Sequence, residues 1–166
     1  MDAMDANELV IRPESPESER AQSLLRRYFD ELAERSPSGF HAADTTAVPP
    51  EELRAPHGAF LVAWIGDRAV GCGAVRMLGN STAEVKRMWL DRSVRGKGLG
   101  RTMLAELEQH ARDLGCRRVR LDTSAHLLEA IALYRSSGYE EITPYNDNSY
   151  ADLWFEKTLT DDAGRS

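Results

Sequence analysis

The chain has 166 residues and a mass of 18.5 kDa, a length that suits one hydrophobic core and leaves no room for a second catalytic domain. It is 42% hydrophobic and 29% charged, with 12 glycines and 7 prolines, an ordinary globular composition that excludes collagenous, disordered and disulfide-scaffold classes. Lys plus Arg number 21 against 27 Asp plus Glu, and the net charge of −6 argues against a general nucleic-acid binder, which relies on summed positive charge against phosphate.

The whole chain, 1–166, reads as one domain, with residues 1–6 and the polar tail 160–166 expected to be loose. Glu8 to Arg12 is a strand ended by Pro13. Ser15 is placed to cap a helix with Pro16 at its first position, and Ala21, Leu24, Leu25, Tyr28 and Leu32 recur at helical spacing until Ser36-Pro37. Pro49-Pro50 opens a second short helix to Arg54, after a loop that carries Phe40-His41. Ala59 to Ile65 and Arg68 to Leu78 flank Gly66-Asp67, a dipeptide suited to a tight antiparallel hairpin. Thr82 to Leu90 is the next strand. Leu99, Met103, Leu104, Leu107, Ala111 and Leu114 then mark an amphipathic helix closed by Gly115. Cys116 to Asp122 alternates as a strand, and Leu127, Ile131 and Tyr134 share a face of a helix ended by Ser136-Ser137-Gly138. Tyr139 to Thr143 and Tyr150 to Thr158 are two last strands separated by Pro144 to Ser149. The order β-α-α-β-β-β-α-β-α-β-β predicts a mixed α/β fold, an antiparallel meander followed by strand-helix-strand crossovers.

The longest apolar run, Ala59 to Ile65, falls far short of the roughly 18–20 residues that cross a bilayer, and the acidic start has no basic leader-like region. A cytoplasmic protein with no membrane partner is expected. Cys72 and Cys116 form no C-x-x-C pair and read as two buried small side chains. The four histidines are scattered without ligand spacing, so no metal is expected. The few Phe and Trp residues are not interleaved with basic ones, so no base-stacking platform is expected either.

Between Lys86 and Arg101 the chain carries Lys86, Arg87, Arg92, Arg95, Lys97 and Arg101 against the single acid Asp91. Within this positive island, Arg95-Gly96-Lys97-Gly98-Leu99-Gly100-Arg101 joins a strand to a helix, where backbone N–H groups and the positive helix end can face an anion. The P-loop pattern is absent, and the dinucleotide fingerprint lacks its third glycine. An anion-binding loop and a purely structural loop with solvated basic residues both remain open on these residues alone.

Arg95-x-x-Gly98-x-Gly100 resembles the acetyl-CoA loop of the GNAT N-acetyltransferases, Q/R-x-x-G-x-G/A. Glu84 to Leu90 is similar to the strand that precedes that loop. Glu129 to Tyr139 is similar to the family's later helix, A-x-x-L-Y-x-x-x-G-F/Y, and the likeness covers about a third of the chain. The resemblance implies a largely antiparallel central sheet flanked by helices, acetyl-CoA as cosubstrate and no metal. It implies that the backbone of Met88, Trp89 and Leu90 pairs with the pantetheine arm, and that Gly96, Lys97, Gly98, Leu99, Gly100 and Arg101, introduced by Arg95, cradle the pyrophosphate. Leu127 departs from the Asn that many relatives place at the start of the later helix, which puts one cofactor contact in doubt.

Acetyl transfer needs a neutral amine, and a lysine-like amine has a reference pKa of about 10.4, so a base must take a proton. Glu84, on the strand beside the expected thioester, is the first candidate, against an ordinary ion pair with Lys86 or Arg87; Asp122 is the second, and water a third. Backbone N–H groups near Met88 to Leu90 are candidates to meet charge on the thioester oxygen. The resemblance gives Tyr134 the role of acid toward the departing thiolate, against packing with Leu127 and Ile131. Tyr145 to Tyr150, Tyr28 and Phe40 are placed near the acceptor, although Asn146 to Ser149 also reads as a plain polar turn. The acceptor implied is the primary amine of a small molecule or amino acid. The alternatives are a protein N-terminus or lysine, or a non-catalytic acyl-CoA-binding module. Exposed strand edges permit a homodimer.

Overall fold

The computed structural model describes residues 8–36 and 48–159. Strand β1 (Leu9–Pro13) leads to helix α1 (Glu19–Arg35), whose cap is Ser18 rather than the expected Ser15. Ser15 and Pro16 instead form a turn, with the Ser18 N–H donating to the Ser15 carbonyl, and the Ser18 hydroxyl accepts from Ala21 N–H at 3.0 Å. Pro50–Leu53 makes a single 3₁₀ turn in place of the expected second helix. The loop carrying Phe40 and His41 lies outside the described residues.

Strands β2 (Gly58–Ile65), β3 (Arg68–Gly79) and β4 (Thr82–Leu90) form the expected meander, turning at Gly66-Asp67 and at Asn80-Ser81. Helix α2 (Leu99–Asp113) carries the chain to β5 (Arg118–Thr123), parallel to β4. Helix α3 (Leu128–Ser136) precedes two short strands, β6 (Glu140–Ile142) and β7 (Leu153–Thr158). The seven strands form one sheet in the order β1-β2-β3-β4-β5-β7-β6. The expected fold class is thus observed: one parallel pair in an otherwise antiparallel sheet with helices on both faces.

The uninterrupted apolar run of β2 has a simple cause. Successive strand residues point to opposite faces, and here both faces are covered. Leu61 and Ala63 join Met103, Leu104, Leu107, Leu121 and Phe155 under α2 and α3, whereas Phe60 and Val62 join Ala21, Leu24, Leu25 and Leu53 under α1.

Two irregularities position the site. First, β4 and β5 pair only from Thr82–Glu84 to Arg118–Arg120, so Val85 to Leu90 has no strand partner on that side. Second, the β3–β4 register shifts between Cys72↔Trp89 and Ala74↔Lys86, leaving Arg87 and Met88 together opposite Gly73, with Arg87 at φ 57°. Such a bulge bends the strand and sharpens its twist, which opens β4 away from β5.

Candidate active site

A cavity of about 430 Å³ lies in this opening, walled by Val85 to Met88 of β4 and by Asp122 to Leu127 after the partnered stretch of β5. A second, of about 310 Å³, runs along Met88 to Leu90 and the Arg95–Arg101 loop. Tyr28, Leu32, Met88, Leu127, Ala130 and Tyr134 line both, so the two cavities meet. Their volumes, and a mainly apolar wall with a few converging polar groups, are those of small-molecule sites.

The loop is held open by its own side chains. After β4, Asp91 caps the short turn Arg92–Val94 and pairs with Arg27. Arg95 Nε donates to the Leu90 carbonyl at 2.8 Å, and its two terminal nitrogens fork onto the Glu31 carboxylate at 2.8 and 2.6 Å. Trp89 Nε1 donates to the same carboxylate at 2.9 Å. The Arg95 guanidinium therefore shapes the loop and ties it to α1. Gly98, at φ 81°, is the cap of α2 and offers no side-chain acceptor to the first turn. A Cβ at Gly100 would stand 3.3 Å from Leu133, so α2 and α3 approach closely there. Arg101 is held against the end of α3, donating to the hydroxyls of Ser136 and Ser137 at 2.8 and 3.1 Å. Gly96 and Lys97 are exposed.

Burial alone would raise the Glu31 carboxyl, but hydrogen bonds from Arg95 and Trp89, with the Arg95 and Arg92 charges, hold it down at about 2. A folded pKa below the unfolded one stabilises the fold above the unfolded value of 4.5, and that stabilisation is lost as pH falls through 2. The urea midpoint of Glu31→Gln should accordingly lie below wild type at pH 7, with the gap narrowing as the pH drops from about 5 to 3. A constant gap would show that Glu31 acts by packing alone.

Glu84, expected on the cleft wall, is buried at 2% side-chain exposure and lines neither cavity. Arg76 Nε donates to it at 3.0 Å, Tyr145 Oη donates at 2.7 Å, and Lys86 Nζ lies 3.6 Å away. Strand alternation is the reason: with β5 still paired beside it, Glu84 faces Arg76 and the β6–β7 connection. The second candidate, Asp122, does line the larger cavity. Its carboxylate accepts from Asn146 Nδ2 at 2.7 Å and Asn148 Nδ2 at 3.2 Å, and Asn146 is fixed in turn by Trp154 Nε1 at 3.0 Å. Asn146 Nδ2 also lies 3.5 Å from Glu84, so the two acids share one network with Asp122 at the cavity. The polar connection is therefore both a turn, through Asn146 and Asn148 side chains accepting from N–H groups two residues on, and the support of Asp122.

Tyr134 is 7% exposed and lines both cavities, its ring centroid 6.0 Å from those of Tyr139 and Phe155. Its hydroxyl has no hydrogen-bond partner among the described residues, and burial, with Asp122 nearby, pushes its pKa up, so it stays protonated at neutral pH. Cys72 and Cys116 are buried free thiols, and burial pushes Cys72 to about 12. Among the described residues no three His, Cys, Asp or Glu side chains are grouped to hold a metal, and no helix is long and apolar enough to cross a membrane.

The largely antiparallel sheet, and the strand, glycine loop and helix within it, agree with the fold that the motif resemblance implied. Residues 19–139 match the model of the Acetyltransferase (GNAT) family, and the chain belongs to that family. It is an acyltransferase. An IAA acetyltransferase of Azospirillum brasilense is 30% identical over 139 residues, 82% of this chain and 88% of its own. An uncharacterized N-acetyltransferase of Bacillus subtilis is 34% identical over 128 residues, 75% of this chain and 82% of its own. The PaiA N-acetyltransferase of Thermoplasma acidophilum, solved in complex with coenzyme A, shares the fold at a TM-score of 0.70 and 16% identity, over 92% of this chain and 99% of that one.

Proposed function

We propose that the chain moves an acetyl group from acetyl-CoA to the primary amine of a small molecule or amino acid by direct attack. The observation that carries this reading is the junction of two cavities. One is lined by Met88 to Leu90 with Gly96, Gly98, Leu99, Gly100 and Arg101, and the other holds Asp122 and Tyr134. The fit to coenzyme A rests on the chain itself. Val85 to Leu90 has no strand partner on its β5 side, so the backbone groups along that edge are available to an extended amide-bearing arm, and Gly98 leaves the first-turn N–H groups of α2 without a side-chain cap. The coenzyme A in the Thermoplasma relative supports the same choice of cosubstrate.

Acetyl-CoA supplies an activated thioester. Asp122, oriented by two neutral amide donors with no cation in the pair, takes the proton of the incoming ammonium; Glu84 lies behind it and positions Asn146 and Tyr145. Backbone N–H groups at the β4 bulge face charge on the carbonyl oxygen, and the protonated Tyr134 hydroxyl, at the junction, serves the leaving sulfur. Thiol release from acetyl-CoA with a panel of primary amines, amino acids and short peptides tests this. Turnover with small amines above the peptide rate is expected, whereas turnover on peptides alone would overturn the acceptor class.

A further inference from the structure

Five arginines around the site each meet a carboxylate. Arg27 pairs with Asp91, Arg35 with Glu129, Arg76 with Glu52 and Glu84, Arg92 with Glu34, and Arg95 with Glu31. Arg87 does not. It is half-buried, lines the larger cavity, and among the described residues its guanidinium has no carboxylate and no hydrogen-bond acceptor; it lies over the Phe29 ring, 5.6 Å from the centroid. Burial pulls it below its ordinary value, yet a guanidinium remains charged in a protein. Taking a cation out of water without a counterion is costly, and an aromatic face offsets only part of that cost.

The bulge sets this arrangement, since the positive φ of Arg87 turns its side chain out of the strand alternation. The same cavity holds the opposite charge at Asp122. Burial pushes the Tyr28 hydroxyl up, and both groups act on it as well, Arg87 lowering it and Asp122 raising it. Of the other charged residues in that lining, Lys86 pairs with Glu84 and Asp152 accepts from the Ala125 N–H, which leaves Arg87 and Asp122 as the cation and the anion that complement a ligand carrying an acid and an amine.

We infer that Arg87 is the specificity-determining anchor for a carboxylate on the acceptor, and that the acceptor is therefore an amino acid or a related amine with a carboxylate close to its nitrogen. This deepens the acetyl-transfer reading and rests on it. A guanidinium fork suits a planar carboxylate with two parallel hydrogen bonds, and the Phe29 ring lies under the guanidinium. With the acid held there, the amine is directed toward Asp122.

The test uses matched sets of an amino acid, its carboxamide and its decarboxylated amine, with thiol release from acetyl-CoA as readout, on wild type, Arg87→Met and Arg87→Lys. Wild type should favour the acid over the carboxamide by about 30-fold or more in kcat/KM, mainly through KM, as for a buried charge pair. Arg87→Met should bring that ratio to near one, and Arg87→Lys should restore part of it, as a point charge without the fork. The wild-type ratio decides the matter even if Arg87→Met fails to fold. Thiol release with carboxamides or plain amines at or above the rate with acids would overturn the role of Arg87 and leave acetyl transfer standing. No thiol release with any member of the sets would overturn both.

Discussion

Asp122→Asn should keep coenzyme A binding while turnover falls by about 10²–10⁴-fold, the range that general-base help supplies. Asp122 lines the larger cavity and takes no part in the walls of the glycine loop, so the change removes a proton acceptor without touching the surface assigned to the cofactor. Its two partners are the amide groups of Asn146 and Asn148, which orient a carboxylate but do not neutralise it. Neither of these partners is a cation. Thiol-release kinetics beside calorimetric titration of coenzyme A would check both halves. Retained turnover would return the base to water or to Glu84, and lost coenzyme A binding would show that Asp122 supports the cleft as a whole. The parallel Glu84→Gln change should act differently, through loss of the Arg76 and Tyr145 contacts, and should lower stability together with activity.

Gly98→Val should weaken coenzyme A binding by about tenfold or more, roughly 1.4 kcal/mol, because its side chain would stand where the phosphates are placed. A Cβ at Gly98 would meet no protein atom within 4 Å, so the effect does not come from crowding inside the fold. It comes from an isopropyl group standing at the first turn of α2, where the phosphates are placed, while φ 81°, which a β-branched residue resists, costs the fold itself about 1–2 kcal/mol. Because the site is open, the folded protein should survive with a modest loss of stability, which separates a binding defect from unfolding. Calorimetry with coenzyme A measures the effect, and unchanged affinity in the folded variant would remove the loop from the cofactor site.

The meander was legible because its cues are local: the apolar run of β2 and the Gly66-Asp67 turn. Helix α2 was legible from the spacing of Met103, Leu104, Leu107 and Ala111, all buried. The cap of α1 was misplaced because Ser15-Pro16 and Ser18 both carry start signals, and only the turn accepting the Ser18 N–H decides between them. The last strands are shorter than the apolar pattern suggested, because Asn146 and Asn148 hydrogen bonds hold the segment between them to Asp122.

The loop motif gave the site's place, but the larger cavity could not be read along the chain. Its shape follows from a register shift between β3 and β4, and register belongs to a pair of strands. For the same reason Arg87 passed as one more cation of the island. Glu84 passed as a cleft residue because the position where β5 stops pairing with β4 is a tertiary fact. The one local signal was the cluster of Asn and Asp after Pro144, which reads first as a polar turn and does not show that Asn146 and Asn148 hold Asp122.

A crystal structure of the full chain with coenzyme A is the most direct test of the central claim. The diphosphate should lie against the N–H groups from Gly96 to Arg101, with the pantetheine arm along Met88 to Leu90 and the sulfur at the junction beside Tyr134. Coenzyme A bound elsewhere, with that groove empty, would contradict it.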